Sequence, residues 1–149
     1  MTRPTLVLLG LLTMLVGAAC ASGASGAGPG QGTATSPSRT LTAQAGGVTV
    51  TATWEDPGAG LSFHVKLDNH QIDLDGVTLE GAVLINDRGD RLDAKPWFAP
   101  PGGHHREGSL LFNGTSGPFL AGANWVELTL PLIGSNTVPP LRWTLGASS

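Results

Sequence analysis

Histidines and carboxylates concentrate in two short segments of the chain, where together they could bind a divalent metal. The first segment contains Asp68, His70 and Asp73, and the second contains the adjacent pair His104 and His105. Imidazole nitrogens and carboxylate oxygens are good ligands for Zn²⁺ and Cu²⁺. If the loop that carries the histidine pair meets the first segment in space, these five residues are candidate metal ligands.

The same residues have a structural interpretation, which we favour. Adjacent side chains on a strand point to opposite faces, so His104 and His105 can share a metal only if Gly102-Gly103 keeps the backbone irregular. The chain has 4 histidines in 149 residues, which is ordinary usage. We therefore expect the histidines to hydrogen-bond to backbone and carboxylate groups and to hold two long loops, with no cofactor.

A second candidate site is the aromatic and proline-rich stretch beside the histidine pair. Trp97, Phe98, Pro100 and Pro101 precede the pair, and Arg106 follows it. Binding residues are concentrated on loops that a rigid scaffold positions, so we expect an interaction surface here. No nucleophile with an adjacent base and an oxyanion donor is identifiable, which predicts a protein that is not an enzyme.

Short strands must position both candidate sites. Apolar and polar residues alternate from Val48 to Trp54 and from Leu61 to Leu67, and the pattern recurs through residues 40–149 between Gly, Pro, Asp and Asn. This period predicts roughly seven or eight strands, including a possible short one from Leu92 to Phe98, and no long helix. We expect an all-β fold, a small antiparallel β-sandwich of immunoglobulin-like type, with a small barrel as the alternative. The stretch from Ala99 to Gly108 is expected to be a long loop.

The N-terminus indicates export. Arg3 precedes an apolar run from Leu6 to Val16, which is too short to span about 30 Å of bilayer hydrocarbon as a helix. Small residues then lead to Cys20, the only cysteine of the chain. A charged start, a short apolar stretch and a small-residue exit are typical of a secretory signal peptide.

The residues Val16-Gly17-Ala18-Ala19-Cys20 resemble the lipobox of bacterial lipoproteins, although Gly17 stands where that family usually has Leu. The resemblance implies that residues 1–19 are a cleaved signal peptide and that Cys20 is lipidated and attaches the protein to a membrane. An Asp after the cysteine resembles an inner-membrane retention mark, but Ala21 follows here, which favours the outer membrane of a diderm cell. The alternative is a plain secretory signal with an incidental cysteine.

The rest of the chain divides into a linker and one domain. Residues 20–39 are rich in Gly, Ser, Ala and Pro, so beyond the lipidated cysteine we expect a flexible, disordered linker, followed by a sandwich domain at residues 40–149. The formal net charge of the chain is −3, without basic runs. This charge argues against nucleic acid as a partner and leaves the lipid anchor as the means of membrane attachment.

One longer pattern resembles exported bacterial β domains. It consists of Asp-x-His-x-x-Asp-Leu-Asp at residues 68–75 and Gly-Gly-His-His-Arg-x-Gly-x-Leu-x-Phe at residues 102–112. The resemblance implies an envelope domain and adds no activity. We therefore predict a cell-envelope lipoprotein that presents a non-catalytic binding or interaction module to an envelope partner, with an envelope protein that binds Zn²⁺ or Cu²⁺ as the alternative.

Overall fold

The computed structural model describes residues 38–58 and 60–146, in which two antiparallel four-stranded sheets pack face to face. The first sheet has the spatial order β1 (Thr40–Ala45), β2 (Val48–Trp54), β3 (Ser62–Asp68) and β6 (His105–Leu111). The second has the order β5 (Arg91–Asp93), β4 (Val83–Asn86), β7 (Trp125–Thr129) and β8 (Leu141–Thr144). A single helix occurs in the described part, α1 (Ser116–Leu120).

The predicted all-β fold, a small antiparallel sandwich, is confirmed. Its likeness to immunoglobulin domains lies in the two-sheet architecture rather than in the strand order. The strands β1, β2 and β3 are successive neighbours in one sheet, whereas the chain of an immunoglobulin domain changes sheet after its second strand.

The core lies between the sheets and is built by the period-two alternation. On β2 the apolar side chains point inward and are buried, while the threonines between them point outward. Trp54 stacks on Phe63 with ring centroids 5.4 Å apart, and Phe63 contacts Trp143 of the second sheet at 5.1 Å. Since a slip of one residue would put threonines into this aromatic core, the pairing register is strongly specified.

One seam of the sandwich is closed by a segment that changes sheet. After β5 the chain leaves the second sheet and runs beside β6, with isolated bridges from Ala94 to Phe112 and from Phe98 to Ser109. A Cβ on Gly108 would clash with the carbonyl oxygen of Phe98, so this close approach requires glycine. The segment 94–98 thereby extends the first sheet, and it positions the aromatic side chain of Phe98.

Three predicted features lie outside the described residues: the signal peptide at 1–19, the lipidated Cys20 and all of the linker except Ser38 and Arg39. Within the described ranges, no helix has both the length and the apolar character needed to cross a membrane.

Candidate functional site

The structure brings the two histidine-bearing segments together at one end of the first sheet. The first loop (residues 69–76) follows β3, and the second loop (residues 99–104) precedes β6. The amide of Asn69 donates to the carbonyl of His104 at 3.0 Å, and the amide of Leu74 donates to the carbonyl of Gly103 at 2.7 Å. Because β3 and β6 are paired neighbours, their connecting loops are held side by side.

The histidines in this cluster make local hydrogen bonds. His104 Nδ1 lies 2.8 Å from the carbonyl oxygen of Ile72, which can only accept, so this nitrogen carries the proton. His105 Nδ1 lies 2.6 Å from Asp68 Oδ1, and its ring centroid is 6.2 Å from that of His70. All three histidines are exposed, so they lie at the surface rather than inside the loops.

Asp68 has a second hydrogen-bond partner besides His105, since Lys66 Nζ lies 3.2 Å from its other carboxylate oxygen. Loss of solvent raises the pKa of Asp68, but hydrogen bonds from His105 and Lys66, together with their charges, outweigh it. The net pKa therefore lies below the ordinary value, and this carboxylate stays charged at neutral pH.

The five candidate ligands do not converge on a metal site. His104 is turned toward Ile72, and the carboxylate of Asp73 accepts a hydrogen bond from the amide of Asp75 at 2.8 Å. Of the five, only Asp68 and His105 are hydrogen-bonded to each other. Among residues 38–58 and 60–146 there is no group of three or more His, Cys, Asp or Glu side chains that could hold a metal ion. The geometry therefore gives no support to the metal alternative.

The side chain that joins the two loops is Arg106, which lies on the inward face of β6. It is 9% exposed, and its guanidinium group donates only to backbone carbonyl oxygens. Its Nη1 donates to the carbonyl oxygens of Leu74 and Asp75 in the first loop, at 3.0 Å each, and to that of Val77 just after the loop. In the second loop, its Nε donates to the carbonyl oxygen of Pro100 at 3.4 Å and its Nη2 donates to that of Ala99 at 2.8 Å.

Asp75 also connects the two loops, through its carboxylate. Its Oδ1 accepts hydrogen bonds from the amides of Gly102 at 2.7 Å and Gly103 at 2.9 Å. The bond from Gly102 lowers the pKa of Asp75 most, followed by the bond from Gly103. Loss of solvent raises the pKa by less, and the charge of Arg106 lowers it further. The pKa therefore lies below its ordinary value of 3.8. The loops are thus held by a cation on carbonyls and an anion on amides.

The interaction surface predicted from sequence is divided by the fold. Trp97 and Arg106 are only 8% and 9% exposed, with the guanidinium carbon 5.0 Å from the indole ring centroid, so neither belongs to an exposed surface. Phe98, in contrast, is 82% exposed. Pro100 and Pro101 are also exposed. We refer to these three as the Phe98 surface.

A polar groove of about 530 Å³ adjoins the Phe98 surface. It contains opposite charges in close pairs, and Glu107 Oε2, which lines the groove, lies 3.5 Å from His64 Nε2. The groove is lined by Lys66, Asp68, Pro100, Pro101, His105, Arg106 and Glu107.

Sequence reasoning missed the inward orientation of Arg106 and the role of Asp75. The first had a signal, because counting back in steps of two from buried Leu110 along β6 puts Arg106 on the same face. For Asp75 the sequence suggests only an Asp-Gly turn, and its contact with Gly102 and Gly103 spans the gap between two loops distant in sequence.

Comparison of the chain with models of known protein families, with curated proteins and with solved structures gave no match.

Proposed function

We propose that this protein is a lipid-anchored component of the bacterial cell envelope, attached through Cys20 to the outer face of a membrane, the outer membrane in a diderm cell. Its sandwich is a non-catalytic interaction module. The lipobox-like sequence before Cys20 and the pattern shared with exported β domains support the location. The partner is another envelope protein, and the Phe98 surface is the contact.

The observation that carries this proposal is an 82% exposed aromatic side chain on a backbone that is held on both sides. An exposed phenylalanine ring keeps apolar area in contact with water, and aromatic residues including Phe are enriched in the cores of protein interfaces. Phe98 is fixed by its bridge to Ser109 on one side, and by the bonds of Arg106 to Ala99 and Pro100 on the other. A surface that is ordered before binding loses little entropy when the partner docks.

Site-specific photocrosslinking in cells tests this assignment. With p-benzoylphenylalanine in place of Phe98, ultraviolet light is expected to yield one discrete adduct with an envelope protein. The same probe at Leu132, which is 58% exposed and belongs to another part of the chain, is the matched control and is expected to yield no such adduct. Phe98→Ala should leave the melting temperature nearly unchanged, because the exposed ring contributes little to the core. Equal labelling at both positions, or none at position 98, would refute the proposal.

A further inference from the structure

The four sheet edges of the described domain differ in how they are protected against pairing with another strand. Exposed edges are normally blunted by charge, proline, short length or a covering segment. The edge at β6 is covered by the segment 94–98. The edge strand β5 has only 3 residues, and Arg91 and Asp93 flank its centre. The edge strand β8 has 4 residues and follows Pro139-Pro140.

The strand β1 has none of these protections. It is 6 residues long, Thr-Leu-Thr-Ala-Gln-Ala, and contains no charge and no proline. Its threonines favour the extended conformation. Among the strand edges in the described part of the chain, it is the one that is both long and uncharged, with no strand hydrogen-bonded on its outer side. The strand β8 of the second sheet lies near its start, where Trp143 Nε1 donates to the carbonyl of Arg39 at 3.0 Å.

The backbone groups that face away from β2 can be assigned. The amide of Trp54 donates to the carbonyl of Arg39 at 2.9 Å, so these two residues form a hydrogen-bonded pair of the ladder. Such pairs alternate along antiparallel strands, so the amides and carbonyls of Thr40, Thr42 and Gln44 point outward. Ser38 confirms this direction, because its Oγ lies 2.7 Å from the carbonyl oxygen and 3.3 Å from the amide nitrogen of Thr40. Within the described residues, Thr42 and Gln44 have no partner for these groups.

We propose that β1 is the docking edge for a second copy of this chain, which adds its own β1 in antiparallel orientation about a twofold axis at Thr42. The strand is self-complementary in this arrangement. Thr42 then faces its own counterpart, and Thr40 faces the counterpart of Gln44. The same side-chain chemistry already joins β1 to β2, where Thr42 Oγ1 lies 3.4 Å from Thr51 Oγ1 and Gln44 Nε2 lies 2.8 Å from Thr49 Oγ1.

The absence of charge permits pairing with a second copy and offers nothing that would attract a strand of opposite charge. With no ionised side chain on β1, the twofold axis brings no like charges into opposition. The pairing forms about six backbone hydrogen bonds, of which those of Thr40 replace its two bonds to Ser38 Oγ, and it joins two four-stranded sheets into one. An interface of one strand is small, so association in solution is weak. Confinement of both copies to one membrane by the proposed anchor raises their effective concentration.

The position of β1 in the sheet has a consequence for binding. In the order β1-β2-β3-β6, the Phe98 surface lies beyond β6, at the edge opposite to β1. A dimer through β1 therefore leaves both Phe98 surfaces free at the two ends of the extended sheet. The dimer does not depend on whether Phe98 contacts a partner.

The test is the oligomeric state of the mature chain carrying Cys20→Ser, measured by sedimentation velocity from roughly 1 µM to 1 mM. We expect a reversible monomer–dimer equilibrium. Thr42→Pro removes an outward amide that makes no bond to β2, and prolines are tolerated on edge strands in that position. This variant is expected to stay monomeric, while Thr42→Val, which keeps the amide, dimerises like the parent.

Thr42→Lys provides a second, independent variant should the proline variant fold poorly. Two lysines opposed across the axis should weaken dimerisation at least tenfold at low salt, with recovery at high salt. A parent that remains monomeric over the whole concentration range would overturn the proposal. So would a dimer that persists unchanged in a folded proline variant and in the lysine variant.

Discussion

A buried guanidinium group is tolerated only when its donors meet acceptors, because desolvation of an unpaired charge costs several kcal/mol. Arg106 meets this requirement entirely with carbonyl oxygens, from Leu74 to Val77 on one side and from Ala99 and Pro100 on the other. Those carbonyls belong to loop residues that have no strand to pair with. At the scale of single residues, the guanidinium group thus supplies hydrogen bonds to both loops in addition to the two backbone hydrogen bonds between them.

Replacement of Arg106 by Lys should therefore destabilise the fold although it keeps the charge. A lysine ammonium group is compact and cannot reach carbonyls on both loops, so we expect a loss of about 2–4 kcal/mol in the free energy of unfolding. Arg91→Lys is the control, since Arg91 makes only a surface ion pair with Asp93 at 3.0 Å and should change stability by less than about 0.5 kcal/mol. Urea denaturation measures both. Equal effects of the two substitutions would show that Arg106 does not hold the loops.

The lowered pKa of Asp75 predicts how stability depends on pH. A carboxyl group whose pKa is lower in the folded than in the unfolded state stabilises the fold above its ordinary pKa of 3.8 and loses that contribution as the pH falls toward the folded pKa. We expect Asp75→Asn to be less stable than the parent at about pH 7, and the difference to shrink at about pH 3. Asp93→Asn serves as the surface control. A difference that is independent of pH would contradict the assigned role of the carboxylate.

At the scale of elements, the segment 94–98 decides the shape of the site. It leaves the second sheet at β5 and pairs irregularly with β6, and this path places Trp97 inside and Phe98 outside. Gly108 permits the path, because its missing side chain leaves room for the carbonyl of Phe98. The exposed aromatic ring is thus a consequence of how two strands meet at the corner of the sandwich.

Gly108→Ala should displace this segment from β6. The added methyl group meets backbone atoms of Phe98 and Ala99 that no side-chain rotation can move, and we expect a loss of about 1–3 kcal/mol. Gly76→Ala is the matched control, since its Cβ would enter open space and should change stability by under about 0.5 kcal/mol. Thermal unfolding of both variants measures the difference. Equal stability of Gly108→Ala and Gly76→Ala would contradict the close packing of the segment 94–98 against Gly108.

At the scale of the whole molecule, the proposed anchor, linker and sandwich assign attachment and binding to different parts of the chain. The chain has a net negative charge and no basic runs that would bind it to anionic lipid. In the proposed arrangement, attachment depends on Cys20, and the sandwich is free to present the Phe98 surface and the edge of β1.

Cys20→Ser should abolish lipidation and release the protein from membranes. Serine has no thiol to receive the lipid, and a protein without its acyl chains loses the hydrophobic contribution of about 0.8 kcal/mol per buried CH₂. Metabolic labelling with a palmitate analogue, followed by membrane fractionation, measures both effects. Thr2→Ser is a control at the same end of the chain. Normal labelling and membrane attachment of the Cys20→Ser protein would contradict the proposal.

The two-sheet fold was predictable because alternation is a local property. On β2 and β3 the inward-facing apolar residues occur at every second position of the sequence. The order of strands was not predictable, since it depends on which apolar faces meet. Alternation alone also does not place every strand. Val77 and Leu79 continue the alternation that leads into β4, yet the strand begins at Val83. The bond of Arg106 to the Val77 carbonyl instead belongs to the loop cluster.

The sequence by itself predicts the cellular location, because signal peptides and lipobox cysteines are recognised as linear patterns. It also determined which two segments carry the polar cluster. Only the tertiary structure decided what those residues do. His105 faces Asp68, His104 turns to Ile72, and Arg106 points inward because β3 and β6 pair in one register rather than another. Contacts between residues about 30 positions apart follow from that pairing, and no local pattern encodes them.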